Sequence, residues 1–474
     1  MKTLISVILS LIIFGSGTLS GQDNYWTLED CINHAWENNL QIKQQELGVD
    51  IAEQNLLQSR GNLFPSLNAN TSHGYNYGRT IDPFTNEFAT ERVQTNNFAI
   101  NSGITLFSGL QILNSIRQSK IELEASEHDV GKMRNDIALA IAAAYLQILY
   151  SIEMVDIASG QLEITNQQLE RTRMLVEAGT QARGALFNME AQLASEELQL
   201  INAKNSLDIA YLDLVQMLDL KDTEGFMIAI PEIDIVEREE YDYSPLEVYS
   251  VARSVQPEIK SSELRVVSAE RGLAIAKGAR SPMLTLRGAY GTGYSGASRQ
   301  VTDVIMGEMS EIGITASGET VLAPTFEYET QVIPFYDQLE DNLNRSIGLY
   351  LTIPIFNNFQ VRTSISRSKI NLDNARISNQ IVKDQLFKGI QQAHADASAA
   401  LKRYYASEKN VDALNEAFRY TEQRFNVGAA NHLEYNDAKN RLAAAESELL
   451  QSKYEFVFRT SILDFYMGNP ISLN

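Results

Sequence analysis

The chain has one cysteine, Cys31, and only ten prolines in 474 residues. A lone thiol cannot close an internal disulfide, so Cys31 reads as a small apolar helix residue. Scarce proline leaves room for long uninterrupted elements. Positive charge is also short: Lys+Arg 39 against Asp+Glu 60 gives a net charge of −21. That balance argues against nucleic acid and against anionic lipid headgroups as partners. The five histidines (His34, His73, His128, His394, His432) are scattered without metal-ligand spacing, and no Gly-rich phosphate loop or nucleophile motif is present. An enzyme, a metal site and a cofactor are therefore not expected. Beyond the N-terminus, no segment approaches about 18 consecutive apolar residues, which removes a transmembrane helix from the expectations. It does not remove a β-barrel, which is the other structure that crosses a bilayer.

What is present begins at the N-terminus. Met1-Lys2 precedes a mostly apolar run from Leu4 to Phe14, then small residues at Gly15, Ser16, Gly17, Thr18 and Ser20. This predicts a secretory signal peptide over 1–21, cut after Ser20 or Gly21. The apolar run is too short to span a bilayer, and no cysteine follows it to carry a lipid.

The remaining chain repeats itself. At an offset of 217, Ala35, Ile42, Lys43, Glu46, Gly61, Pro65, Leu67, Gly74 and Tyr77 recur as Ala252, Ile259, Lys260, Glu263, Gly278, Pro282, Leu284, Gly291 and Tyr294. Further on the offset becomes 249, and Ile104, Phe107, Ser119, Gly179, Leu193 and Leu214 recur as Ile353, Phe356, Ser368, Gly428, Leu442 and Leu463. The difference, 249 − 217 = 32, is one insertion between Tyr294 and Ser346. A tandem duplication of two long units predicts two equivalent halves sharing one wall. The first repeat covers 22–218, a linker 219–245, the second repeat 246–468 and a tail 469–474.

Apolar or small residues at Ile112, Ile116, Ser119, Leu123, Val130, Met133, Ile137, Ile141, Ala144 and Ile148 follow spacings of three and four. This is a helix seam near the coiled-coil period, and it predicts a long helix over 109–178 with a second-copy partner over 359–427. Shorter helices are predicted over 28–60, 184–218, 246–277 and 432–466. Before each long helix the period changes to two, predicting strands at about 66–78, 96–107, 282–294 and 345–356. Leu67, Tyr75, Phe98, Ile100, Leu284, Leu286, Ile347, Leu349 and Ile353 fall on one face. Asn68, Asn101, Arg287 and Ser346 fall on the other, as in a water-filled lumen. The strands have the length that crosses a bilayer at a tilt. A half-buried sheet in a soluble domain shows the same alternation. In a membrane, however, four strands cannot close a barrel, so such a chain must oligomerise; three copies supply 12 strands.

The signal peptide, the duplicated helix–hairpin–long-helix units, Pro354-Ile355-Phe356 and Val427-Gly428 together resemble the TolC-like outer-membrane efflux proteins, over about residues 25–468. The resemblance implies a mainly α fold with a membrane β-barrel: a homotrimer with a 12-stranded barrel in outer-membrane lipid and an α-helical periplasmic tunnel. The linker would join a mixed equatorial region, and the hairpin loops 79–94 and 295–344 would face outside. The implied function is the outer-membrane channel of a tripartite efflux system, multidrug efflux included, or of type I secretion. A periplasmic adaptor would link it to an inner-membrane RND or ABC pump.

The helix-tip turns, with Val176, Gly179, Val427 and Gly428, would form the periplasmic entrance and the adaptor contact. Glu434 and Asp437 match an acidic pair that constricts this entrance in family members, while the first copy has Ala185 and Asn188 there. A basic residue that locks the entrance in some members aligns with Ala430, which puts the latch in doubt. The competing expectation is an exported coiled-coil scaffold or adhesin, soluble without detergent and unable to conduct ions.

Overall fold

A computed structural model describes residues 25–89, 92–221, 225–231 and 243–471. The predicted signal peptide lies outside these residues, as do parts of the predicted linker and tail. The elements run β1 (Tyr25–Trp26), α1 (Leu28–Asn38), α2 (Leu40–Gly61), β2 (Ser66–Asn76), β3 (Thr80–Ile81), β4 (Phe88–Ala89), β5 (Val93–Phe107), α3 (Gln111–Glu177) and α4 (Arg183–Leu218). Then follow β6 (Met227–Ile228), α5 (Pro245–Val255), α6 (Pro257–Gly278), β7 (Met283–Ser295), β8 (Arg299–Ile314), β9 (Thr320–Val332), α7 (Phe335–Asp341), β10 (Asn344–Thr352), α8 (Gln360–Asn426) and α9 (His432–Tyr466). The described chain forms two compact units, and each draws on both repeats. Among the described residues, one takes in 25–51, Glu124–Arg265 and 376–471; the other takes in Ala52–Leu123 and Val266–Ala375.

The first unit is helical. Its main core gathers Cys31, Ile42, Ile141, Tyr145, Ile148, Leu149 and Leu214, all nearly solvent-free. The apolar middle of α3 is as hydrophobic as a membrane span. Its Ile137, Ile141, Leu146 and Leu149 are core residues here, which accounts for that composition. Tyr145 donates its hydroxyl to the carbonyls of Trp26 and Ala229, tying down the parallel pair β1–β6.

The single helices expected over 28–60 and 246–277 are each broken in two, and the break repeats at the 217 offset. Thr27 and Ser244 open α1 and α5 with full capping boxes onto Asp30 and Glu247. These helices end at Asn39 and Gln256, whose backbones turn extended. The two amide side chains leave the helix to satisfy other carbonyls. Asn39 Nδ2 donates to Met217 O at 3.0 Å, and Gln256 Nε2 to Tyr466 O at 3.0 Å. Met217 and Tyr466 are themselves equivalent at the 249 offset. The break is thus a device that uses one side chain to cap a second helix's C-terminal end.

The second unit carries a four-stranded antiparallel sheet in the order β10-β7-β5-β2. β2 and β10 have no further partner among the described residues, so both edges are open. β10 stops at Thr352, where Pro354 withdraws a ladder donor two residues on. Below the sheet, Gly109 (φ 62°) and Gly278 lie against each other's carbonyls. A Cβ on Gly109 would meet Gly278 O at 2.4 Å, so glycine at both positions lets the turns touch. The region expected as a loop at 295–344 contains a second antiparallel pair, β8–β9, and the short helix α7.

Candidate functional site

Register decides which side chains share a face of the four-stranded sheet. Asn68 pairs with Asn101, Asn101 with Ala289, and Ala289 with Ser346, so one row crosses all four strands. Arg287, one pleat along β7, opposes Gly103 and Gly348 on the same face. All four polar residues singled out from the sequence are therefore brought together. Arg287 lies over the Tyr350 ring at 5.3 Å, a contact the alternation alone did not reveal.

The opposite face carries Leu67, Tyr75, Phe98, Ile100, Leu286, Ile347 and Leu349, all exposed in the isolated chain except half-buried Leu286; Ile347 reaches 81%. A continuous exposed apolar face of this kind needs lipid or protein to cover it. At the α7 end of β10, Arg345 stacks on Tyr290 of that face at 5.6 Å. A cation and an aromatic at one level suit a membrane–water boundary.

The two helix tips lie in the first unit and have the same backbone. Gly179 (φ 75°) and Gly428 (φ 76°) adopt the left-handed conformation that ends a helix. Ala178, Gly179 and Thr180 donate to Met174, Val176 and Leu175; Val427, Gly428 and Ala429 donate to Gln423, Phe425 and Arg424. Every one of these six bonds maps onto its counterpart at the 249 offset. Val176 is half-buried, while Val427 is exposed at its turn.

The side chains at the second tip form a charged set. Asn431 caps α9 by accepting from Glu434 N at 2.9 Å, and its own amide donates to Glu434 Oε1 at 3.2 Å. Arg424 reaches Glu434 at 3.3 Å and also donates to Ala429 O at 3.0 Å. Asp437 pairs with Arg441 one turn on, at 2.9 Å. Each carboxylate thus has an arginine in its own chain. Across to α3, the Arg171 guanidinium donates to the side chain and the carbonyl of Asn426, the latter at 3.0 Å. Arg171 and Arg424 supply positive charge at the tip, where position 430 has only alanine.

Just above the tip the seam contains a buried ion pair. Lys439 and Glu196 are 1% and 2% exposed. The Lys439 ammonium donates to Glu196 at 3.0 Å, Thr165 Oγ1 at 2.6 Å and Gln161 O at 2.7 Å, using all three protons. It links α9 to both α3 and α4. Burial pulls its pKa down, and the neighbouring carboxylate opposes that pull. Next to it, Phe425 stacks on Tyr435 at 4.7 Å and meets His432 at 4.9 Å. Burial raises the Tyr435 phenol to about 12 and pushes the His432 imidazole below its usual value. The legible signal for the pair was a lysine on the seam of α9, in step with Tyr435 and Leu442. Among the described residues, no three His, Cys, Asp or Glu side chains converge as a metal set would.

The family described as outer membrane efflux protein matches residues 31–219 and 248–469, nearly the two repeats. The chain belongs to the outer membrane efflux protein family. It is 22% identical to the outer membrane efflux protein BepC of Brucella suis over 456 residues, covering 95% of this chain and 87% of that one. It is 20% identical to the outer membrane protein TolC of Vibrio cholerae, covering 96% and 93%. The crystal structure of the outer membrane protein VceC from Vibrio cholerae superposes with a TM-score of 0.71 at 16% identity, covering 94% and 97%. The fold is TolC-like, and this efflux protein resides in the outer membrane.

Proposed function

We propose that three copies of this chain close their sheets edge to edge into one 12-stranded export channel. The observation that carries this is the four-stranded sheet itself: open at β2 and β10, apolar on one face and polar on the other. Open edges are not tolerated in hydrocarbon, and about eight strands are needed for even a filled barrel. In the trimer the apolar face meets lipid, and the row of Asn68, Asn101 and Ser346 with Arg287 lines the water-filled lumen. The helix tips at Gly179 and Gly428 then form the periplasmic entrance, where the hairpins of an adaptor dock and connect the channel to an RND or ABC pump. Glu434 and Asp437 from three copies ring that entrance, a charged ring of the kind that selects cations. Arg424 and Arg441 balance their charge at rest, and the Arg171–Asn426 contact holds the two helix tips together in the role that Ala430 cannot play.

The test compares Leu349→Lys with Ser346→Lys. A lysine on the lipid face near mid-bilayer costs about 2–4 kcal/mol, and one in the lumen costs little. Light scattering of the detergent-extracted protein should give trimers for the parent and Ser346→Lys, and a loss of assembled trimer for Leu349→Lys. Equal assembly of both variants refutes the assigned faces, and a monomeric, detergent-free parent refutes the channel.

A further inference from the structure

The β8–β9 hairpin lies in the connection that is 32 residues longer in the second repeat, and it has two unlike faces. Register puts Val304 opposite Tyr328, Met306 opposite Phe326, Met309 opposite Pro324 and Ile314 opposite Thr320. Directly opposed residues point to the same side, so Val304, Met306, Met309, Leu322, Phe326 and Tyr328 share one mainly apolar face, with Glu311, opposite Leu322, towards the hairpin's tip. The other face carries Glu327 beside Ile305, and Asp303 directly opposite Glu329. The apolar face is bare in the single chain: Met306 is 70% exposed and Tyr328 62%. A lone two-stranded hairpin is marginal in water, so an exposed one of this length calls for a covering partner.

The hairpin is held firmly at its base. Gln338 of α7, 1% exposed, accepts from Ser295 N at 2.9 Å and donates to Ser295 O at 3.0 Å and Ile333 O at 2.8 Å. The buried Asp82 carboxylate accepts from the Ser295 hydroxyl. These bonds tie both ends of the hairpin to β7 and α7.

We infer that the covering partner is the same hairpin from the other copies, with the apolar faces meeting on the symmetry axis over the outer mouth of the barrel. This rests on the trimer proposed above. Three observations favour a second copy over lipid or a foreign protein. The hairpin hangs between β7 and β10, and β10 is the open edge at which the next copy must begin. Its only base is Arg299 against six acids, Asp303, Glu308, Glu311, Glu319, Glu327 and Glu329, so anionic headgroups are repelled. Asp303 facing Glu329 requires water on that side, which turns the apolar side inward, and one patch repeated around an axis forms a closed set. The hairpins then narrow the exit; the shorter first-copy connection holds, among the described residues, the two-residue pair β3–β4.

Tyr328→Cys and Glu327→Cys, one on each face, test this in the full-length protein reconstituted in lipid and treated with a short bis-maleimide. The only native thiol, Cys31, is fully buried. Tyr328→Cys should give covalent dimers within trimers at a yield several-fold above Glu327→Cys. Intact trimers in which Tyr328→Cys does not cross-link overturn the inference and leave the channel standing, whether a water-soluble maleimide (open face) or only a lipid-phase one (membrane-covered face) labels the thiol. A monomer overturns both. As a second readout, replacing 299–332 by a short turn should raise single-channel conductance; an unchanged conductance also overturns the cap.

Discussion

The two helix tips share one turn and differ in the side chains around it. Three backbone bonds at each turn coincide, and their glycines share the same left-handed φ within a degree. Along the 249 offset, however, Leu175 becomes Arg424, Ala182 becomes Asn431, Ala185 becomes Glu434, Asn188 becomes Asp437 and Gln192 becomes Arg441. The first tip begins α4 at Ala182 with no side-chain cap; the second begins α9 on Asn431. Duplication supplied the turn twice. The acidic pair after the turn stands on one copy only, and the Lys439–Glu196 pair joins the copies across the seam, at a position where the first repeat has Glu190. The lesson is that backbone symmetry and side-chain asymmetry are separately encoded: glycine fixes the turn, and the residues one helical turn to either side decide which charges it presents.

The largest effect expected from breaking this arrangement is at the buried pair. Lys439→Met leaves Glu196 unpaired in the core and should cost about 3–5 kcal/mol, seen as a lowered unfolding midpoint. Lys439→Met/Glu196→Leu should recover most of it, since an apolar pair of similar volume is often neutral or better. If the single and double variants fall equally, the pair is not what links the helices.

Next come the glycines. Gly179→Ala and Gly428→Ala should each destabilise by about 1–2 kcal/mol, because φ is positive and open space around both sites leaves backbone strain as the only penalty. Equal midpoint shifts for the two are the expectation, and a large inequality would show that the tips are not equivalent in backbone.

A smaller effect is set by pH. His432 is held neutral, with its folded pKa below the unfolded value near 6.5. Its contribution is complete above about 6.5 and is lost as pH falls through the lower folded value. Amide exchange around residues 425–435 should therefore quicken below about pH 6.5 in the parent and less so in His432→Phe. The first tip, which has Arg183 at the equivalent position, should show no such step.

Much of this was legible before the structure. Period-two alternation placed Asn68, Asn101, Arg287 and Ser346 on one side, because a pleated strand leaves no other option. The seam spacing located α3 and α8 to within two residues at each end. The breaks at Asn39 and Gln256 were missed because both lie inside unbroken apolar periodicity; Pro257 marked the second, and Asn39 looks like any surface amide. The β8–β9 hairpin has no repeat partner, and of its two strands only β9 alternates cleanly, with Phe326 and Tyr328 between Thr325, Glu327 and Glu329; Ile305 between Val304 and Met306 breaks the pattern in β8. The contacts of Arg171 and Arg424 at the tip are not legible from position 430, where the resemblance places a basic residue. Long side chains reach the tip from the preceding turns, which spacing in sequence does not display.

Planar-bilayer conductance of Glu434→Ala/Asp437→Ala beside the parent tests the central claim most directly. If the second tip is the charged entrance of a trimeric channel, the double variant should lose cation selectivity and block by trivalent cations while still conducting. Unchanged selectivity and unchanged block would make Glu434 and Asp437 ordinary surface charge, neutralised by Arg424 and Arg441, and would contradict the account.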